Sequence, residues 1–269
     1  MTKLQDSKTE WQKNFEKNAT DQSLGTAVSR IAGFLRDATM TALFHRGMTD
    51  AWVLAFRGPH FFRRYLGEGA VSQEFQNRWK HATDSDISAL RSLFVLGSLC
   101  WMLVIAGLTG VFSNFIGGPK PSSVSMNSMG VEYFFHPMIL MMGCWFYFSF
   151  QTALLQKQED FRTPAVAPVF LNLSMIFFTA LAWWIQKPIY LSWGVAAGGI
   201  SVVIYSSKPW EWFQKKHPSL SFWKITSFSR PGRQHILWFL QLPLVLLPLS
   251  LLQWVTLLQM IAVAKLQQQ

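Results

Sequence analysis

Three stretches of this chain reach bilayer length without a charged residue: Leu93–Ile116, Ala165–Ile185 and Ile236–Ala264. A helix needs about 20 predominantly apolar residues to cross the hydrocarbon core. A soluble core does not need three such runs. The pattern predicts an all-α membrane protein that crosses the bilayer several times. Charge usage agrees, since only 14% of residues are charged against about a quarter in soluble domains.

The walk along the chain predicts about seven spans: Leu24–Phe44, Asp50–Phe75 (interrupted by Gly58-Pro59), Leu93–Ile116, Val131–Gln156, Ala165–Ile185, Pro188–Tyr205 and Ile236–Ala264. Residues 1–23 read as a polar tail without the apolar segment of a signal peptide, and residues 24–269 as one membrane unit. Fifteen of the 24 Lys and Arg fall on the N-terminal tail's side of these spans, four fall opposite, and five are arginines inside the first two spans. That bias predicts a cytoplasmic N-terminus.

Several chemistries are disfavoured. Cys100 and Cys144 lie inside apolar runs and form neither a disulfide framework nor a zinc spacing, and the six histidines are scattered. No cofactor or metal is expected. The net charge of +10 sits in loops and in two intramembrane clusters, which suits positive-inside bias and an anionic lipid ligand rather than nucleic acid. Gly194 and Gly198 have the small-xxx-small spacing that lets helices approach closely. Pro243 and Pro248 predict a bent seventh span, whose Gln241, Gln253 and Gln259 can bond across helices or face a wet cavity.

The intramembrane charges are the functional signal. "SRIAGFLRD" places Arg30, Arg36 and Asp37 in the first span, and "AFRGPHFFRRYLGEGAVSQEF" places Arg57, Arg63, Arg64 and Glu68 in the second. Each central charge costs about 2.5–3.5 kcal/mol, and each large apolar residue returns only about 0.3–0.6. Exposure to lipid therefore loses, and the charges must face protein or water. Asp50, Arg57 and Arg64 recur every seven residues, with Glu68 four further on, so one helix face carries them. Five arginines oppose Asp37, Asp50 and Glu68. The excess favours a polyanion, and Arg suits bidentate contact with phosphate. Structural ion pairs and snorkelling at the span ends are the competing account.

Those two segments, with "TDAW" before the second and "FRTPAVAPVFLNLSMI" later, resemble the MurJ/MviN family of lipid II flippases within the multidrug/oligosaccharidyl-lipid/polysaccharide exporter superfamily. The resemblance runs from about Leu24 to the end and covers the family's N-terminal half. It implies one lobe of a MurJ-like exporter fold in which Arg30, Arg36 and Arg63 line a central cationic cavity for a diphosphate and sugar headgroup. Asp50 matches an acidic residue near the outer end of span two, and Glu68-Gly69 a signature loop or helix end. Two departures stand out: "RGPH" replaces an expected K-x-P-N, and Ser201 follows Gly198-Gly199-Ile200 where a glutamine is expected.

The reading implied is a flippase, or its N-terminal lobe, carrying lipid II or a similar polyprenyl-diphosphate saccharide across the bacterial inner membrane by alternating access. Its partners would be that substrate, membrane lipids and a second lobe supplied by another chain or another copy. The alternative is a truncated, non-transporting binding or scaffold protein. An enzyme acting on polyprenyl phosphates is disfavoured, because no DDxxD-like acidic pair lies in the spans.

Overall fold

A computed structural model describes residues 2–67, 70–116, 131–216 and 231–249, and every element among them is an α-helix. In order these are α1 Thr2–Leu43, α2 Arg46–Gly67, α3 Ala70–Arg78, α4 Asp84–Ile116, α5 Val131–Lys157, α6 Arg162–Ile185, α7 Ile189–Lys216 and α8 Arg233–Leu249. Four segments are long and apolar enough to cross a membrane: Asp84–Leu108, Phe134–Lys157, Arg162–Ile185 and Ile189–Ser207. The first and second expected spans, in α1 and α2, are not among these four, and they carry the charges noted in the sequence. Most of the seventh expected span, with Gln253 and Gln259, lies outside the described residues.

The apolar window of α5 is 78% buried, against 28% in α4 and 33% in α6, so α5 is the central helix. One face carries Met141, Trp145 and Phe148 into a cluster with Met40, Trp52, Phe56, Leu171 and Val195. Its other face carries Ile139, Met142, Phe150 and Leu154 toward Phe75, Phe94 and Trp238. The first cluster joins α1, α2, α6 and α7 to α5, and the second joins α3, α4 and α8 to it.

Glycines set the closest approaches. A Cβ on Gly198 would lie 3.0 Å from the Leu171 Cα of α6, and one on Gly199 would lie 2.9 Å from the Met141 Cα of α5. Adjacent glycines thus let α7 touch two backbones at once. Gly194 lies against Phe178, so the small-xxx-small spacing is used for close packing of α7 on α6. Gly25 does the same for α1, where a Cβ would meet Ala165 Cβ at 2.7 Å.

One expectation needs correction. The helix α2 runs unbroken through Gly58-Pro59, although proline removes one backbone donor. Residues 68 and 69, Glu68 among them, lie outside the described residues. The helix α1 runs unbroken from Thr2 to Leu43, so the polar N-terminal residues continue into the segment that carries Arg30 and Arg36.

The start of α4 is closed by a capping box: the Thr83 N–H donates to Asp86 Oδ2 at 2.9 Å, and the Asp86 N–H to Thr83 Oγ1 at 3.4 Å. Asp86 also fastens α8. The Gly232 N–H donates to His235 Nδ1 at 3.1 Å, so in the neutral ring Nε2 carries the hydrogen and donates to Asp86 Oδ1 at 3.0 Å. His235 stacks on Trp79 with centroids 4.8 Å apart. Replacing His235 with alanine is expected to cost about 1–3 kcal/mol and to lower the melting midpoint in detergent. An unchanged midpoint would contradict this fastening role.

Candidate functional site

The site forms where α1, α2, α5 and α6 meet. On α1, the stripe Gly25, Ser29, Ala32, Arg36 and Met40 has helical spacing, with Gly25, Ala32 and Met40 buried. This stripe brings Arg36 to α6. Its Nη1 donates to the Asn172 Oδ1 at 3.0 Å, and its Nε donates to Asp37 Oδ1 at 2.8 Å. Nη2 reaches the same Asp37 oxygen at 2.7 Å. The Arg36 side chain is 15% exposed and Asp37 63% exposed, so this pair is half in solvent and contributes little by itself.

Phe56 on α2 lies beneath Arg36, with Cζ 5.5 Å from the ring centroid. Phe56 stacks on Trp52 at 5.1 Å and tilts against His60 at 5.7 Å. One turn on, His60 Nε2 lies 3.3 Å from Arg63 Nη2, and the Arg63 guanidinium sits 5.4 Å over the Trp145 ring of α5. Phe56, His60 and Arg63 follow i, i+4, i+7, so one face of α2 aligns them. A continuous path of cations and rings thus links Arg36 to Arg63. Aromatic faces hold a guanidinium without neutralising it, at about 0.5–2 kcal/mol each.

The other expected residues divide between places. Arg57 and Asp50 are exposed on the seven-residue face of α2, a different face from that of Arg63. Asp50 is 3.9 Å from Arg46 at the start of the helix, with both side chains largely exposed. Arg30 is exposed on α1, on the same open helix face as Gln22, Ser23 and Thr26. The Arg64 side chain lies outside the described residues, as does Glu68. Arg36 and Arg63 are therefore the expected cations that these contacts join. Among the described residues no cluster of metal-ligating side chains occurs.

Sequence reasoning missed Asn172 and Trp145 as parts of this junction. Asn172 stands in an apolar run, and that lone amide was the available signal. Trp145 offers no comparable signal among its aromatic neighbours.

The family profile described as Lipid II flippase MurJ matches residues 40–214. The chain belongs to the MurJ family. A probable lipid II flippase MurJ of Bdellovibrio bacteriovorus is 31% identical over 195 residues, covering 68% of this chain and 37% of that protein. Another, from Buchnera aphidicola subsp. Baizongia pistaciae, is 32% identical over 202 residues, covering 71% and 39%. The lipid II flippase MurJ of Burkholderia cenocepacia is 28% identical over 198 residues, covering 65% and 36%. The matched segment thus spans less than half the length of these MurJ relatives. The fold is similar to a MOP superfamily transporter from Pyrococcus furiosus, with a TM-score of 0.61 and 14% identity, covering 90% of this chain and 52% of that one. MurJ membership and the four apolar helices of membrane-spanning length make the chain an all-α, multi-pass membrane protein.

Proposed function

We propose that this chain is the N-terminal lobe of a flippase for a polyprenyl-diphosphate saccharide of the lipid II class, with Arg36 and Arg63 as the heart of its anion site. The observation that carries the reading is the junction itself. Two guanidinium groups are held on aromatic faces at 5.4 and 5.5 Å, within a chain of MurJ-family sequence. Three of the five Arg36 N–H groups bond Asp37 and Asn172, which leaves two for phosphate oxygens. Hydrogen bonds to a charged partner contribute about 1.5–3 kcal/mol each.

Arg30, Arg57 and Arg64 supply further positive charge around the headgroup, while Asp37, Asp50 and Glu68 moderate it. Arg30 and Arg57 are exposed. Charges at membrane depth do not face lipid, so these side chains face a water-filled cavity or a second lobe. That lobe comes from a separate chain or another copy, and the two rock about the bound headgroup while the polyprenyl tail stays in the bilayer. No covalent step is needed, so the chain acts as a transporter rather than an enzyme. Residues 1–23 lie in the cytoplasm and residues 24–269 form the lobe in the bacterial inner membrane, a placement supported by the distribution of Lys and Arg.

Complementation of a flippase-depleted bacterium tests the reading. The chain co-expressed with the C-terminal lobe of a MurJ relative is expected to restore growth, and the Arg30→Ala and Arg63→Ala forms to fail. Rescue by both variants at the wild-type level, with equal protein in the membrane, would overturn the site.

A further inference from the structure

Asn172 makes a bridge that the charge count does not require. Its Nδ2 donates to the Ser29 carbonyl of α1 at 3.1 Å, while its Oδ1 accepts from Arg36 Nη1 at 3.0 Å. The residue is 4% exposed and sits on α6, where Ala165 meets α1 and Leu171 meets α7 through apolar contacts. Burying an amide is costly unless both ends are paired, and here both are. A leucine would pack this position with no such requirement. A Cβ on Gly33 would make an ordinary contact with Nδ2 at 3.7 Å, so the amide is not crowded from that side.

We propose that Asn172 is a positioning residue for anion recognition, fixing the guanidinium of Arg36 so that its remaining N–H groups are presented together to a diphosphate. This rests on the reading of Arg36 as a diphosphate ligand. Asp37 cannot fix the group alone, because it is 63% exposed and an exposed ion pair holds a long side chain weakly. Asn172 differs in being buried and anchored to the α1 backbone. Asp37 takes Nε and Nη2, Asn172 takes Nη1, and the Phe56 ring lies below the plane. The guanidinium is thereby ordered before any ligand arrives, and binding does not bear the cost of ordering it.

The test is titration of the 269-residue chain in detergent with undecaprenyl diphosphate, and with undecaprenol as the probe lacking phosphate. Asn172→Leu is expected to weaken diphosphate-lipid binding by about five- to thirtyfold, and Arg36→Ala by at least as much. If Asn172 acts through Arg36, the double variant is no weaker than Arg36→Ala within about twofold. Undecaprenol binding should be unchanged throughout. Asn172→Leu binding like wild type, or losses that multiply in the double variant, would overturn the positioning role. If Arg36→Ala itself binds like wild type, the diphosphate site fails and this role with it. Loss on Arg36→Ala with retention on Asn172→Leu removes the positioning role alone. Should a thermal melt show Asn172→Leu unfolded, Asn172→Ser is the smaller, polar replacement, whose hydroxyl is too short to reach Arg36. The same loss is expected, and wild-type binding by Asn172→Ser overturns the proposal.

Discussion

Arg36→Ala is expected to reduce the affinity of the chain for a polyprenyl diphosphate by about ten- to a hundredfold, the loss of one or two charge-assisted hydrogen bonds. The substitution removes the two donors left over from Asp37 and Asn172. It also leaves Asn172 Oδ1 buried without its partner, so some loss of stability accompanies the loss of affinity. Arg36→Lys separates the effects. It keeps the positive charge but lacks the planar fork, and a single ammonium cannot reproduce contacts to both Asn172 and Asp37 while facing a phosphate. Lysine is therefore expected to recover only part of the affinity. Full recovery by lysine would mean that net charge, rather than geometry, is recognised.

The largest structural effect is expected at Gly199. An alanine Cβ there would lie 2.9 Å from the Met141 Cα and 3.2 Å from Cys144 Cβ. Helix backbone cannot yield as a flexible side chain can, so α7 must shift away from α5. Overpacking of this kind costs about 1–3 kcal/mol or more, and α5 is the helix on which both clusters depend. Gly199→Leu, which demands still more space, is expected to prevent recovery of folded protein. Gly107→Ala is the control, since nothing lies within 4 Å of a Cβ at that site. It should be neutral or raise the melting midpoint, because alanine favours helix by about 1 kcal/mol over glycine. Equal behaviour of Gly199→Ala and Gly107→Ala would remove the close α5–α7 approach from the account.

Much of this was legible in the sequence, for physical reasons. Uncharged runs of bilayer length can be read directly, and the runs beginning near Leu93 and Ala165 appear in α4 and α6. Charges in the first two expected spans directed attention to the proposed site, because charge at membrane depth is costly. The choice of helix face was not legible. A seven-residue recurrence picked out Asp50 and Arg57, yet these are exposed, while Arg63 shares its face with Phe56 and His60 and packs against α5. Both faces satisfy helical spacing equally well, and only the position of α5 decides between them. Pro59 was a similar case, since a helix can continue through proline when surrounding packing holds it. Phe56, Pro59 and Phe62 are all buried. Asn172 was visible as an odd residue, but its partner 136 positions away was not.

A diphosphate headgroup held at the α1–α2–α5–α6 junction should be detectable by native mass spectrometry of the 269-residue chain, offered undecaprenyl diphosphate and undecaprenol in equal amounts. Preferential retention of the diphosphate lipid is expected, abolished by combining Arg36→Ala with Arg63→Ala. Equal retention of both lipids by the wild-type chain, or an unchanged preference in the double variant, would contradict it.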